Sequence, residues 1–461
     1  YLEGDRGQTD DSQIREEIDW LMARYQKVQP MMYIYYNRYS MKGIEDPNVR
    51  ITIDYDLTYR SEDLSLLDGK HGDKLLPEGY VIMEIKVPGA YPLWLVEILD
   101  RHHVFPKSFS KYGVAYKKTT DYKEKHPYKD WVKLAPKLDD AFFTTPEAVR
   151  IADNVLLYQQ TTGGWPKNIY MPAELTADEY QKALADKDNV NQSTIDNNAT
   201  TTEIEYLSRL YLATQKEKYK EGVLNGIQYL LKSQYENGGW PQFYPRPKGY
   251  YVQITYNDNA MVRVMNQLRS IYEKKAPYTF LPDNICEQAR NAFNKGIECI
   301  LKTQVRQNGE LTVWCAQHDR VTLEPCKARA YELPSLSGQE SDNIVLLLMS
   351  LPHPSADVVK SIEGAIKWFQ KSEIKGIQKE YFTNSDGKKD YRMVPCEDCP
   401  TLWARFYDLE TNRPFFCDRD GIKKYDISEI GHERRNGYSW YNKDGSKVLK
   451  RYEKWKKEQN K

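Results

Sequence analysis

The sequence predicts a mainly α-helical protein, a partial α/α toroid of repeated helix pairs, preceded by a small, incomplete α+β domain. Three observations carry this reading. After residue 145, apolar residues recur at spacings of three and four over long stretches, the mark of amphipathic helices. A short aromatic turn repeats inside that region, and repeated helix pairs build arrays. Before residue 120 the pattern alternates instead, as strands do.

In chain order, residues 1–118 form the α+β part. Val49–Asp56 and Gly79–Val87 alternate β-branched or aromatic residues with polar ones, and Pro92–Asp100 reads as a helix. Two such strands and one helix cannot close a barrel or bury both sheet faces, so this domain is incomplete by itself. The stretch 119–139, rich in Lys, Tyr and Asp, reads as a linker. The third region, 140–461, holds helical patterns at 145–158, 202–214, 221–234, 259–273, 287–303, 341–351 and 358–370. After these comes a tail with little helical period.

Composition narrows the function. At 461 residues the chain is too long for one average core. Lys+Arg and Asp+Glu both number 66, which argues against a nucleic-acid binder driven by bulk charge but leaves a local basic cleft open. The 36 tyrosines suit surfaces that meet polar, ring-shaped ligands, and they also fill cores. The seven cysteines all lie in the C-terminal half, and an odd number in a chain this long is no disulfide framework. Zinc, free thiols or one local disulfide are the readings of Cys396-x-x-Cys399. No apolar run approaches a membrane span.

The repeat is specific. Gly163-Gly-Trp-Pro-Lys-Asn168 recurs 75 residues on as Gly238-Gly-Trp-Pro-Gln-Phe243, with a weaker third copy at Asn308–Trp314. Lead-ins Leu231-Lys-Ser-Gln234 and Leu301-Lys-Thr-Gln304 match as well. Polar clusters that open helices follow each copy: Asp196-Asn-Asn198, Asn257-Asp-Asn259 and Ser341-Asp-Asn343. Equivalent loops of such an array gather on one face, which brings together Asp196, Asp258 and, with them, Glu340 or Asp342. Each cluster can be a helix cap. Alternatively, carboxylates and amide oxygens hold a hard cation such as calcium, completed by an anionic ligand.

Two further clusters carry charge. The loop Lys327–Glu340, punctuated by Pro334 and Gly338, can aim Lys327 and Arg329 or simply form surface salt bridges. In the tail, Arg405, Arg413, Arg419, Arg434 and Arg435 alternate with aromatics. Arginine forks pair with carboxylates in two-point fashion and aromatic faces stack on sugars, so the set suits a polyanionic sugar chain. Trp165, Trp240 and Tyr331 are the candidate stacking rings. The alternative is a tail wrapped over the body with its arginines tied to surface acids, above all Arg434 and Arg435.

From about 140 to 445 the chain resembles the pectate lyases of polysaccharide lyase family 10. The words that carry the resemblance are Gly163–Asn168, Thr194–Thr200, Tyr256–Ala260, Trp314–Asp319, Ala328–Gly338 and Leu402–Tyr407, all in order. The resemblance implies a helical fold with an irregular second half and a cleft between. It also implies a Ca²⁺ site served by Asp196 and Asp258, Arg329 as Brønsted base, and Arg405 and Arg419 as ligands of substrate carboxylates. Lys327 matches the motif loosely as a second catalytic group. The implied substrate is polygalacturonate, cut by β-elimination. A monomer acting outside the cell, with no nucleic-acid partner and no membrane span, is expected. A non-catalytic pectin-binding module is the alternative.

Residues 45–117 resemble the C-terminal part of the VTC polyphosphate polymerase domain, a β-tunnel lined by basic residues. Pro77–Lys86 and Phe105–Gly113 carry this, with Arg50, Arg60, Glu84, Lys86 and Lys111 at motif positions. The first strands of the tunnel are missing, so half a tunnel is expected, either packed on the lyase or binding a polyanion weakly.

Overall fold

The structure, a computed structural model, describes residues 16–20, 31–44, 46–102, 104, 109–119 and 128–459. The chain divides into two units, Tyr1–Lys125 and His126–Lys461.

The first unit is an open antiparallel sheet. Its centre, Arg50–Arg60, pairs on one edge with Tyr33–Lys42 and on the other with Asp73–Lys74 and Ile82–Lys86. Two of these strands fall where the alternation predicts them. Tyr33–Lys42 is an addition: its run of tyrosines is partly exposed on both faces, so it carries little alternation. Leu57, Tyr59, Leu75 and Ala115 form a small core under helix Lys111–Thr119.

The expected linker, 119–139, is corrected in its second half. Tyr128–Leu134 is a helix, followed by a 3-10 turn at Ala135–Lys137. Trp131 is buried and donates its Nε1 proton to Glu203 Oε1 at 2.9 Å. One large ring with an internal partner outweighs the polar composition around it, so this segment belongs to the core of the second unit.

That core is built from consecutive helix pairs. Pro146–Tyr158, capped by Thr145 and begun by Pro146, packs on Thr201–Thr214 and Glu217–Ser233. The next pair is Ala260–Tyr272 with Asp283–Thr303, and the third is Glu340–Met349 with Ala356–Lys371. The final helix, Asp444–Gln459, returns to pack on the third pair. All the helical patterns of the sequence are helices here, within a few residues.

One device is used three times to join these layers. Trp165, Trp240 and Trp314 are fully buried, and their indoles donate to the carbonyls of Val155 (2.6 Å), Leu230 (2.8 Å) and Ile300 (2.7 Å). Beside them a glutamine at the preceding helix end donates twice. Gln159 bonds Gly163 O and Gly222 O, Gln234 bonds Gly238 O and Ala292 O, and Gln304 bonds Thr312 O and Ser361 O. Each amide thus ties its own turn to the next helix. At Gly163 and Gly238 the backbone has positive φ, and a Cβ would collide with the carbonyls of Asn225 and Lys295, so the turn accepts only glycine. The expectation that Trp165 and Trp240 stack on sugars is therefore corrected: both are core residues. Burying a Trp requires a partner for its N–H, and the carbonyl at the helix end supplies it.

After Lys371 the chain becomes irregular. A hairpin, Ile377–Thr383 with Lys389–Pro395, and several two-residue strands surround a second aromatic core that includes Tyr331, Phe406, Phe415, Phe416 and Trp440. Cys396 and Cys399 form a disulfide just after the hairpin, which excludes the zinc reading, and the other five cysteines are free.

Two stability predictions follow from this core. Trp240→Ala should cost roughly 3–5 kcal/mol, read by denaturant unfolding; a loss below about 1 kcal/mol would deny it a core role. Burial pushes the Glu203 carboxyl up to about 7 from an ordinary 4.5. Its folded state therefore binds the proton more tightly than the unfolded state, and stability falls as pH rises through that window. Glu203→Gln should raise stability at about pH 8 by about 2–3 kcal/mol and leave it unchanged at about pH 4. An equal change at both would show that the charge of Glu203 is not the cause.

Candidate active site

The polar clusters after the repeated turns do not behave as caps. Asp196–Asn198 and Asn257–Asn259 are single 3-10 turns in which Asn197 (φ 51°) and Asp258 (φ 50°) take left-handed backbone. Asn and Asp tolerate this conformation better than other side-chain-bearing residues. The N-terminal flanking residues of the helices that follow, Thr200 and Asn259, make no side-chain capping bond. Each turn instead hangs on the next layer. Ile195 N–H donates to Gln242 O at 3.2 Å, and Tyr256 and Asn257 N–H both donate to Ala316 O at 2.9 Å.

The result is a cleft of about 390 Å³. Asp196, Asp258 and Arg329 all line it, together with Lys167 and Glu332. Its remaining wall is Asn197, Gln242, Tyr250, Asn257 and Gln317. Lys167, Glu332 and the two glutamines carry no assigned role in the sequence reading. Lys167 and Gln242 occupy the same position in the two copies of the turn, and that equivalence is the signal that could have found them.

Each acid in the cleft meets a cation of the protein. Asp196 is ion-paired with Lys167. Asp258 accepts from Asn257 Nδ2 at 2.9 Å and lies 3.6 Å from Arg405 Nη2. Glu332 is buried and takes both Nε (2.8 Å) and Nη2 of Arg329, as well as the Arg329 backbone N–H at 3.1 Å and the Tyr438 hydroxyl at 2.8 Å. The Glu332 bonds hold the Arg329 guanidinium well above its ordinary range. Burial works to raise Glu332, but the Arg329 fork outweighs it and the carboxyl is lowered.

The other predicted residues lie elsewhere. Arg405 is buried and does not line the cleft. Its Nη2 donates to Glu340 Oε1 at 2.7 Å and Asn257 Oδ1 at 3.1 Å, so it anchors the acids under the cleft floor rather than presenting its fork to a sugar. Tyr331 is buried too, with Arg434 at 4.2 Å and Arg329 at 4.9 Å from its ring centre, so the expectation of sugar stacking there is corrected. The ring supports guanidinium groups instead. Arg419 is exposed, paired with Glu433 at 3.1 Å, and 5.8 Å from the same ring. Arg413 sits 4.0 Å over Tyr425, and Lys327 is exposed; neither lines the cleft. Arg435 is bonded through two nitrogens to Asp390, the structural role read for it in the sequence.

Glu340 joins the floor, hydrogen-bonded to Ser337 and Arg405. Asp342 is buried at the start of its helix and pushed up to about 7 by burial and by Asp444; it does not line the cleft.

Among the described residues no three His, Cys, Asp or Glu side chains come together as a metal cage. The cleft nevertheless fits a hard cation. It offers the carboxylates of Asp196 and Asp258, and the side-chain oxygens of Gln242 and Gln317 are buried without a hydrogen-bond partner. An all-oxygen set with few carboxylates suits calcium completed by an anionic ligand better than it suits a soft metal.

In the first unit, Arg60 is buried and donates to four backbone carbonyls in the loop after its strand. Lys111 and Arg38 both bond buried Asp54, and Glu84 lies 3.6 Å from Arg38. Arg50 and Lys86 border a recess of about 350 Å³ with Lys42.

Each of the two units matches a known family. The Pectic acid lyase family model matches residues 159–449, and the VTC domain model matches 4–120. The family 10 polysaccharide lyase from Cellvibrio cellulosa is 36% identical, with a TM-score of 0.59, covering 72% of this chain and 97% of that one. A mutant of that lyase in complex with trigalacturonic acid matches at 36% identity and TM-score 0.59, over 72% and 98%. A search of curated proteins finds no match. The family match and the structural likeness together place the chain among the polysaccharide lyases. More particularly, the chain belongs to the pectic acid lyase family. No helix among the described residues is long and apolar enough to cross a membrane.

Removing Arg405 leaves Glu340 buried without its cation. Arg405→Ala should therefore cost about 3–5 kcal/mol of stability, measured by denaturant unfolding. A stable variant that has lost only substrate affinity would return Arg405 to the role of a sugar ligand.

Proposed function

We propose that the protein is a pectate lyase that cleaves demethylated polygalacturonate by calcium-assisted β-elimination, releasing C4=C5-unsaturated oligogalacturonides. The observation that carries this reading is the convergence of Asp196, Asp258 and Arg329 in one cleft of a chain from this family. Binding alone does not require a metal site and a base together, so the set favours a lyase over a pectin-binding module. The helix pairs then take the form of a partial α/α toroid. In this reading the enzyme acts as a monomer, and pectin lies outside the cell that consumes it, so the enzyme is exported.

In this reading Asp196 and Asp258 hold Ca²⁺. Bound there, Ca²⁺ would supply Lewis acidity that makes the C5 proton easier to remove. Lys167, a second cation in the cleft, orients a uronate carboxylate. Arg329 takes the C5 proton, the C5–H electron pair forms the C4=C5 bond, and the C4–O4 bond of the same sugar breaks. The glycosidic oxygen leaves on C1 of the neighbouring sugar and takes a proton from water. A guanidinium has no free pair to accept a proton, and Glu332 favours the charged form. Arg329 must therefore open its fork with Glu332 and lose a proton before it can act. Losing the proton is easier at high pH, so an alkaline optimum follows.

The recess of Lys42, Arg50 and Lys86 supports a weaker second reading for the first unit, the binding of a polyanion such as polyphosphate.

The test follows ultraviolet absorbance of the unsaturated product from polygalacturonate at alkaline pH, with calcium or with chelator. A calcium-dependent rise is expected, and Arg329→Ala should lower kcat by about 10³-fold. No rise under either condition would favour the binding module. A wild-type rate that stays flat from about pH 6 to about pH 10 would remove Arg329 as base.

A further inference from the structure

The hairpin Ile377–Thr383/Lys389–Pro395 has a face whose chemistry the cleft does not use. Its register sets Tyr381 opposite Tyr391 and Thr383 opposite Lys389. Cross-strand partners share a face, as do alternate residues of one strand, so Lys379, Tyr381, Lys389 and Tyr391 lie on the same side. Tyr391 is buried in the second aromatic core, whereas Tyr381 is 57% exposed, with the two ring centres 6.0 Å apart. Lys389 Nζ lies 4.5 Å from the centre of Tyr381, and Lys379 Nζ lies 4.6 Å from that of Tyr391. Among the described residues neither lysine is paired with a carboxylate, whereas Arg392 on the opposite face pairs with Glu380. An ammonium resting on a tyrosine beside an exposed ring is open to an anionic sugar. The ring covers the sugar face, and the ammonium exchanges a weak cation–π contact for a carboxylate.

The hairpin is linked to the cleft by a series of contacts. Arg329 in the cleft wall and Arg419 at the surface flank the ring of Tyr331, at 4.9 and 5.8 Å. Arg419 pairs with Glu433 at 3.1 Å. The adjacent His432 contacts the backbone carbonyl of Lys389 through Nε2 at 3.0 Å. Side-chain and backbone contacts within the second unit thus link the cleft wall, through Tyr331, Arg419 and Glu433, to the hairpin strand that carries Lys389.

We propose that the hairpin face bearing Tyr381 and Lys389 is a distal binding site for the polyuronate chain, separate from the residues that carry the chemistry. The inference rests on the pectate reading above. A distal site adds binding energy only for substrates long enough to reach it.

The experiment compares full-length wild type with Tyr381→Ala, Lys389→Ala and the double variant, on polygalacturonate and on trigalacturonate. Both side chains are exposed, and Tyr180→Ala, at an exposed tyrosine on helix Ala177–Ala185, serves as control. The double variant should raise KM for the polymer about 10-fold, with kcat and all trimer kinetics unchanged. Retardation in gels containing polygalacturonate, run with chelator, should fall in parallel. An unchanged polymer KM, or equal losses on trimer and polymer, overturns the proposal. If wild type forms no unsaturated product, the lyase reading has failed. Gel retardation that still depends on Tyr381 and Lys389 would then uphold the site by itself, and retardation that does not would overturn it.

Discussion

The arrangement of the second unit depends on a buried pair of donors used three times: a tryptophan indole on a helix-end carbonyl, and a glutamine amide shared between its own turn and the next helix. A buried N–H without an acceptor is costly, so these bonds allow little slippage between layers. Because Gln159, Gln234 and Gln304 each reach the following helix pair, the turns stay in register from layer to layer. The polar turns of Asp196 and Asp258 inherit that register through backbone bonds to Gln242 and Ala316. The cleft is thus a consequence of how the core is joined.

Charge in the cleft is organised by burial. Asp196, Glu332 and Glu340 are buried, and each is held by a neighbouring cation: Lys167, Arg329 and Arg405. An unpaired buried carboxylate would be strongly unfavourable. The same pairs set what a ligand must do. A divalent ion at Asp196 would have to compete with Lys167, and deprotonation of Arg329 would have to overcome the hold of Glu332. Formal neutrality of the whole chain therefore conceals a site of closely opposed charges. The first unit repeats the principle at Asp54, buried between Arg38 and Lys111, while Arg50 and Lys86 stay exposed beside their recess.

The irregular second half uses aromatic rings where the first half uses helices. Tyr331 and Tyr438 lie against Arg329, Arg405 and Arg434, supporting guanidinium groups that regular secondary structure does not position. Rings suit this work because their faces attract cations without requiring a proton acceptor. Further out, Lys379 and Lys389 rest on tyrosines in the same way, and there one ring, that of Tyr381, reaches the surface.

Local pattern alone determined a good deal of this protein. Apolar spacing located the helices, because burial on one side of a helix imposes its period directly on the chain. The repeated turn and its polar clusters bring Asp196 and Asp258 together from sequence alone, since equivalent loops of an array share a face. The words shared with the lyases marked Arg329. What the tertiary structure decided was which way individual side chains face. Trp165, Trp240 and Tyr331 read as sugar-stacking rings and are core, Arg405 reads as a ligand and is an anchor, and Trp131 turns half of an apparent linker into core. A tryptophan in a core and one in a binding groove have the same local sequence signature. The difference lies in whether a distant carbonyl, such as that of Leu230 for Trp240, comes within reach of the indole N–H, and only the folded chain brings the two together.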